Sequence, residues 1–148
     1  MKQASTLNHE DLYITLRDGE LDPESFDHES HVRLAWYYLT HWPYEQALEH
    51  FNRDFFRFIV SAGAQGKYHK TITEALMQLI ASHLGDERCR TDWEYFKQDA
   101  DPLFSDAFEL LKRFYSAELL GSEAARKDFK DPDVKKLPSP SSPASPRT

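Results

Sequence analysis

Three histidines stand where imidazoles could do chemistry. His28 and His31 lie in Phe26-Asp27-His28-Glu29-Ser30-His31-Val32-Arg33, and His69 lies in Lys67-Tyr68-His69-Lys70-Thr71-Ile72-Thr73. Imidazole titrates near neutrality and is the commonest metal-ligating side chain. A spacing of three puts His28 and His31 on one helix face, which continues through Ala35, Tyr38 and Trp42 into a partly buried surface. His69 falls at the expected start of another helix, where the positive end of the dipole favours the neutral ring, the form that ligates metals or acts as a base. Two histidines from one helix and a third from another would supply three nitrogens and leave a position open for water or substrate. That is the arrangement of a catalytic divalent site, with zinc or iron as the expected ion. Asp27, Glu24 or Glu74 would add a carboxylate, one version being a 2-His-1-carboxylate iron centre. Tyr38 and Tyr68 are the neighbouring candidates for proton donors. Thr73 would orient a substrate and Arg33 would pair an anionic substrate group.

The same residues allow other readings. The cluster could serve acid–base catalysis or ligand binding without a metal, or the histidines could be structural. If Asp27 rather than Asp22 is the N-cap, His28 sits at the first helical position. Lys70 beside His69 disfavours a cation there. His50 and His9 read as surface, His41 as a residue at a helix C-terminus, and His83 as a deeper neighbour on the face of His69. Cys89 falls in what reads as a polar loop, Asp86-Glu87-Arg88-Cys89-Arg90, where flanking arginines would lower the thiol pKa but no partner base is evident.

The elements that must position these groups are helices. Residues 43–62 place Ala47, Leu48, Phe51, Phe55, Phe58, Ile59 and Ala62 on one stripe, with Glu45, Glu49, Arg53 and Arg57 opposite. Residues 102–120 repeat the pattern, opened by Asp101-Pro102 as N-cap and first-turn proline. Asp22-Pro23 opens a helix to about His41, Asn8 caps a short first helix, and Thr91-Asp92-Trp93-Glu94 reads as a capping box. The five glycines fall where helices should stop. No alternating strand pattern occurs. The expectation is an all-α, irregular bundle of about six helices spanning residues 1–129.

From residue 130 the sequence turns to Pro and Ser, ending Leu137-Pro138-Ser139-Pro140-Ser141-Ser142-Pro143-Ala144-Ser145-Pro146, and reads as a disordered tail over 130–148. The chain carries a formal net charge of −7. Four bases against two acids from Lys130 onward give that segment +2, which leaves −9 on the body. Such a body repels phosphate backbones, so nucleic acid is not an expected partner. No run of ~18 apolar residues and no secretory leader pattern occurs, and the single cysteine, Cys89, forms no intrachain disulfide. A cytoplasmic protein without membrane attachment is the expectation. Trp42 and Trp93, read as exposed, point to a helix-face homodimer.

The two histidine segments together resemble those of a group of small, uncharacterised bacterial proteins that pair FxHxxHVRLAWxYL with KYHxTxT. The likeness covers about twenty residues directly and about the first eighty in layout. It implies that His28, His31, Arg33 and His69 form one functional unit, and it brings no established reaction. The residue after the third histidine is often acidic in that pattern, whereas this chain has Lys70. Two functions follow as expectations. One is a small helical enzyme, possible metal dependence included, acting on a small molecule between the 23–41 and 69–84 helices. The other is a non-enzymatic binding or accessory module that engages a partner protein.

Overall fold

The computed structural model describes residues 1–140. Among these the regular structure is helical, and the one extended pairing is an isolated parallel bridge between Lys2 and Leu21. The main elements are α1 (His9–Arg17), α2 (His28–His41), α3 (Tyr44–Ser61) and α4 (Lys70–Ser82). Six shorter helices follow: α5 (Glu87–Thr91), α6 (Trp93–Asp99), α7 (Asp101–Ser105), α8 (Ala107–Leu111), α9 (Ala117–Leu120) and α10 (Glu123–Lys127). The all-α class is therefore as expected. None of these helices is long and apolar enough to cross a membrane.

Local chemistry accounts for most boundaries. Asn8 accepts from the Asp11 amide and caps α1, and Asp92 does the same for α6 through Tyr95. Gly19 and Gly63 close α1 and α3 at φ of 77° and 68°, a region that L side chains rarely adopt. α2 begins later than Asp22-Pro23 suggests. Pro23–Ser25 form one 3-10 turn, Phe26 is extended, and Asp27 is the cap, its Oδ1 accepting from the Ser30 amide and hydroxyl. The extended Phe26 drops its ring onto Phe55 and Phe58 of α3 (centroids 5.9 and 5.3 Å), an apolar contact a continuous helix would forfeit.

The expected single helix over 102–120 is instead α7, α8 and α9. Asp106 and Ser116 interrupt it. Ser116 is extended and its side chain accepts from the Leu119 amide, whereas Asp106 leaves the helical region (φ −156°, ψ 51°) without a side-chain capping bond. Phe108 is left 53% exposed.

α2 lies at the centre, packed by α1, α3, α4 and α7. Its inward side chains Val32, Leu34, Ala35, Tyr38 and Leu39 are fully or almost fully buried, against Phe51 of α3 and Met77 and Ile80 of α4. Trp42 and Trp93, read as exposed, are partly buried and packed on this core. The structured body runs beyond residue 129. The Tyr115 hydroxyl donates to the Lys130 carbonyl (2.7 Å), Asp133 accepts from the Ser116 amide and hydroxyl, and Leu137 is buried in the core. Gln78 Nε2 donates to the Pro138 carbonyl (3.0 Å). The Pro/Ser stretch expected to be disordered therefore begins within a docked strap, and its last part, residues 141–148, lies outside the described residues.

Candidate functional site

Each of the two helix starts uses its histidine to tie distant chain together. His28 is the first residue of α2, and its Nε2–H donates to the Leu103 carbonyl in α7 (2.7 Å). His69 is the N-cap of α4 rather than a residue on its core face. Its Nδ1 accepts from the Ile72 amide (3.1 Å) while its Nε2–H donates to the Leu120 carbonyl (2.7 Å). Those two partners fix a neutral ring with the proton on Nε2. Both nitrogens are engaged, so neither lone pair is open to a metal in this arrangement.

His31 differs. Its ring sits among Phe26, Phe51 and Phe55 (centroids 6.4, 5.5 and 4.9 Å), 6.4 Å from the ring of His28. Its Nε2 is buried with no hydrogen-bond partner among the described residues. Burial, and the neighbouring His28, push its pKa down to about 4. The three imidazoles do not share a centre, and among the described residues no group of three His, Cys, Asp or Glu is placed to hold a metal ion.

The other residues expected at this site have partners within the fold. The Tyr38 hydroxyl is buried and donates to Asp54 Oδ2 (2.6 Å); burial and that carboxylate raise its pKa, so it is held protonated. Thr73 bonds back to the His69 carbonyl (2.8 Å), stiffening the first turn of α4. Arg33 donates to the Ala4 and Leu7 carbonyls (3.2 and 2.9 Å) and anchors the N-terminal segment rather than an anion. Cys89 lies on α5, not in a loop, and is buried. Burial and Asp99, which accepts from its thiol at 3.4 Å, push its pKa up to about 12, the reverse of the expected lowering. His83 pairs with Asp99 (2.8 Å). His9, expected on the surface, packs its ring against Trp36 and Trp93.

Of the expected site residues, Tyr68 borders an open groove. This groove, of about 1070 Å³, runs along the outer face of α3 and is closed on its far side by the Gln65–Tyr68 segment and α10. α3 contributes Arg53, Phe56, Arg57 and Val60, an i, i+3, i+4, i+7 stripe on the side opposite its core face. Phe56 (47% exposed) and Val60 (41%) are among the few large apolar side chains the described surface leaves open. The ring of Tyr68 meets Phe56 edge-on (5.4 Å, 77°), and burial raises its pKa. Lys70, Arg126 and Lys127 bring further positive charge, with Asp128 the one acid in the lining. Arg126 also donates to the Gly66 carbonyl (3.0 Å) and so holds the far wall in place.

Three of these cations have close carboxylate partners: Arg53 with Asp54 (3.1 Å), Lys70 with Glu74 (2.9 Å) and Arg126 with Glu123 (3.0 Å). Lys127 approaches Glu123 only to 4.0 Å. Arg53 uses only Nε, leaving both terminal nitrogens without a partner, and Arg57 makes no hydrogen bond or ion pair among the described residues. Asn52, also on the groove, has a buried Oδ1 with no partner among those residues. One signal for this site is present in the sequence. Phe56 is an aromatic residue out of phase with the core stripe of α3 and set between two arginines. Compared with protein-family models, curated proteins and solved structures, the chain has no match in any of the three.

Proposed function

We propose that this chain is a non-enzymatic binding module whose site is the groove on the outer face of α3, and that it takes a small anionic ligand with an apolar part. The observation that carries this reading is a concentration of cationic side chains, two with unused guanidinium donors, over an exposed apolar floor on a chain of net charge −7. Guanidinium forks recognise carboxylate and phosphate bidentately, and a concave site with an apolar floor and a few converging polar groups suits a small molecule. The test is calorimetric titration with tripolyphosphate of the wild type, Arg57→Glu and a control reversal far from the groove, Lys2→Glu. Binding that weakens roughly tenfold or more in Arg57→Glu and is unchanged in Lys2→Glu is the expected result. Equal binding by all three proteins overturns the assignment to this groove.

A second reading keeps the histidines as a site, in a small enzyme that uses a zinc or iron ion. It rests on His31, whose buried Nε2 has no partner and whose neighbour is His28. Equilibrium dialysis against zinc and ferrous iron, with His28→Ala and His31→Ala, tests it. Stoichiometric metal lost in both variants supports this reading, and wild type without metal after reconstitution overturns it.

A further inference from the structure

The groove's polar donors are arranged for more than one negative charge, and its floor for a flat ring. Arg53 and Arg57 stand one helical turn apart on the same face of α3, a spacing that brings their Cβ atoms to ~5–6 Å. Among the described residues Arg57 is without a partner, and Arg53 has two unused terminal nitrogens. A single carboxylate fills one guanidinium fork, whereas linked phosphates present oxygens to two forks at this separation. Lys127, weakly held at 4.0 Å from Glu123, borders the groove from the opposite wall. Between the arginines, Phe56 exposes almost half its surface and is braced edge-on by Tyr68, leaving a flat apolar surface that bases and other planar rings stack on. Asn52, whose amide oxygen lacks a donor among the described residues, lies on the same wall.

We infer that the ligand is a nucleotide-type molecule, a planar aromatic ring carrying a di- or triphosphate, with the phosphates on Arg53, Arg57 and Lys127 and the ring on Phe56. This deepens the anion-groove reading and rests on it. Recognition here is by side chains, consistent with the lack of a glycine-rich phosphate loop in the sequence. Asp128, at the end of α10, repels phosphate and sets them toward the α3 wall.

The probes are ADP, pyrophosphate (phosphates without the ring) and adenosine (the ring without phosphates), titrated calorimetrically into the full chain and into Phe56→Ser and Arg57→Glu. Both substituted positions are on the groove surface, and circular dichroism and thermal melting check that each variant folds. The expected result is ADP binding at least roughly tenfold tighter than either fragment. Phe56→Ser should bring ADP down to the affinity of pyrophosphate, and Arg57→Glu should bring it down to that of adenosine. ADP affinity should also fall severalfold as salt rises toward 1 M. Pyrophosphate binding as tightly as ADP overturns ring recognition and leaves the anion groove standing. No binding of ADP or pyrophosphate overturns both. ADP binding that neither substitution changes places the ligand elsewhere and overturns the inference.

Discussion

The helix starts that carry His28 and His69, and the outer face of α3 that carries Arg53 and Arg57, are regions of one small bundle whose polar groups are in opposite states. At the helix starts the imidazole nitrogens meet backbone groups of distant segments at 2.7 Å, and Arg33 and Thr73 beside them are similarly tied. On α3 the guanidinium of Arg57 has no hydrogen-bond or ion-pair partner among the described residues, that of Arg53 is only partly engaged, and Phe56 and Val60 are left facing solvent. At His28 and His69 the fold's own backbone carbonyls take up the ring N–H groups, while His31, which enters the core, keeps a buried Nε2 without a partner among the described residues. Unused donors over exposed apolar surface have no such internal account. A histidine pattern thus shows where imidazoles gather, while only the state of their nitrogens shows whether they are available.

Substitutions can break this contrast, and the largest effect is expected at His69. His69→Ala removes the cap of α4 and leaves the Leu120 carbonyl without its donor, so roughly 2–4 kcal/mol of stability should be lost in urea denaturation. His69→Asn, which retains a cap acceptor, should recover part of it. A loss under about 0.5 kcal/mol would show that this histidine is not structural and would reopen the helix starts as a site.

The second effect is on pH dependence and comes from His31. Below the ordinary histidine value of 6.5 the unfolded chain takes a proton that the folded chain refuses until about pH 4. Stability is therefore full above pH 6.5 and falls as the pH drops through that window, by on the order of 3 kcal/mol. His9, whose pKa burial also lowers, adds in the same direction. His31→Phe, suited to the aromatic cage, should flatten the slope in denaturation curves taken between pH 7 and pH 4. An unchanged slope would mean that His31 is hydrated or partnered, and so closer to a working site.

Tyr38→Phe comes next. It leaves the buried Asp54 carboxylate short of its 2.6 Å donor and should cost about 1–3 kcal/mol by thermal or urea unfolding. Little change would free Tyr38 for another role. The smallest effects on stability belong to the groove. Phe56→Ser and Arg57→Glu should each stay within about 0.5 kcal/mol of wild type while altering ligand binding. A large destabilisation by either would show that this face is structural too, and the contrast would collapse.

Much of the fold is legible in the residues. The core stripe of α3 reads directly from Phe51, Phe55 and Phe58, and the cap at Asn8 follows from a side chain that reaches an amide three residues on; at α6 the cap is Asp92, one residue past the Thr91 that opens the capping-box pattern. The division of 102–120 is not legible in its aromatic spacing, which suits one helix, while Ser116 carries the capping chemistry of a new start. For the site, the histidine segments stand out by type, whereas the groove shows only as one aromatic, Phe56, out of phase between two arginines.

What the sequence by itself determined is therefore local: helix as the repeating element, most of its starts and stops, and the apolar faces to be buried. These depend on sterics and hydrogen bonds reaching about one turn along the chain. Tertiary structure alone decided that His28 meets a carbonyl 75 residues away and His69 one 51 residues away. It also decided that Leu137 docks in the core and that α3 and α10 face each other across a groove. Such pairings depend on the path of the whole chain, and no spacing along the sequence encodes which donor will find a partner and which will be left open.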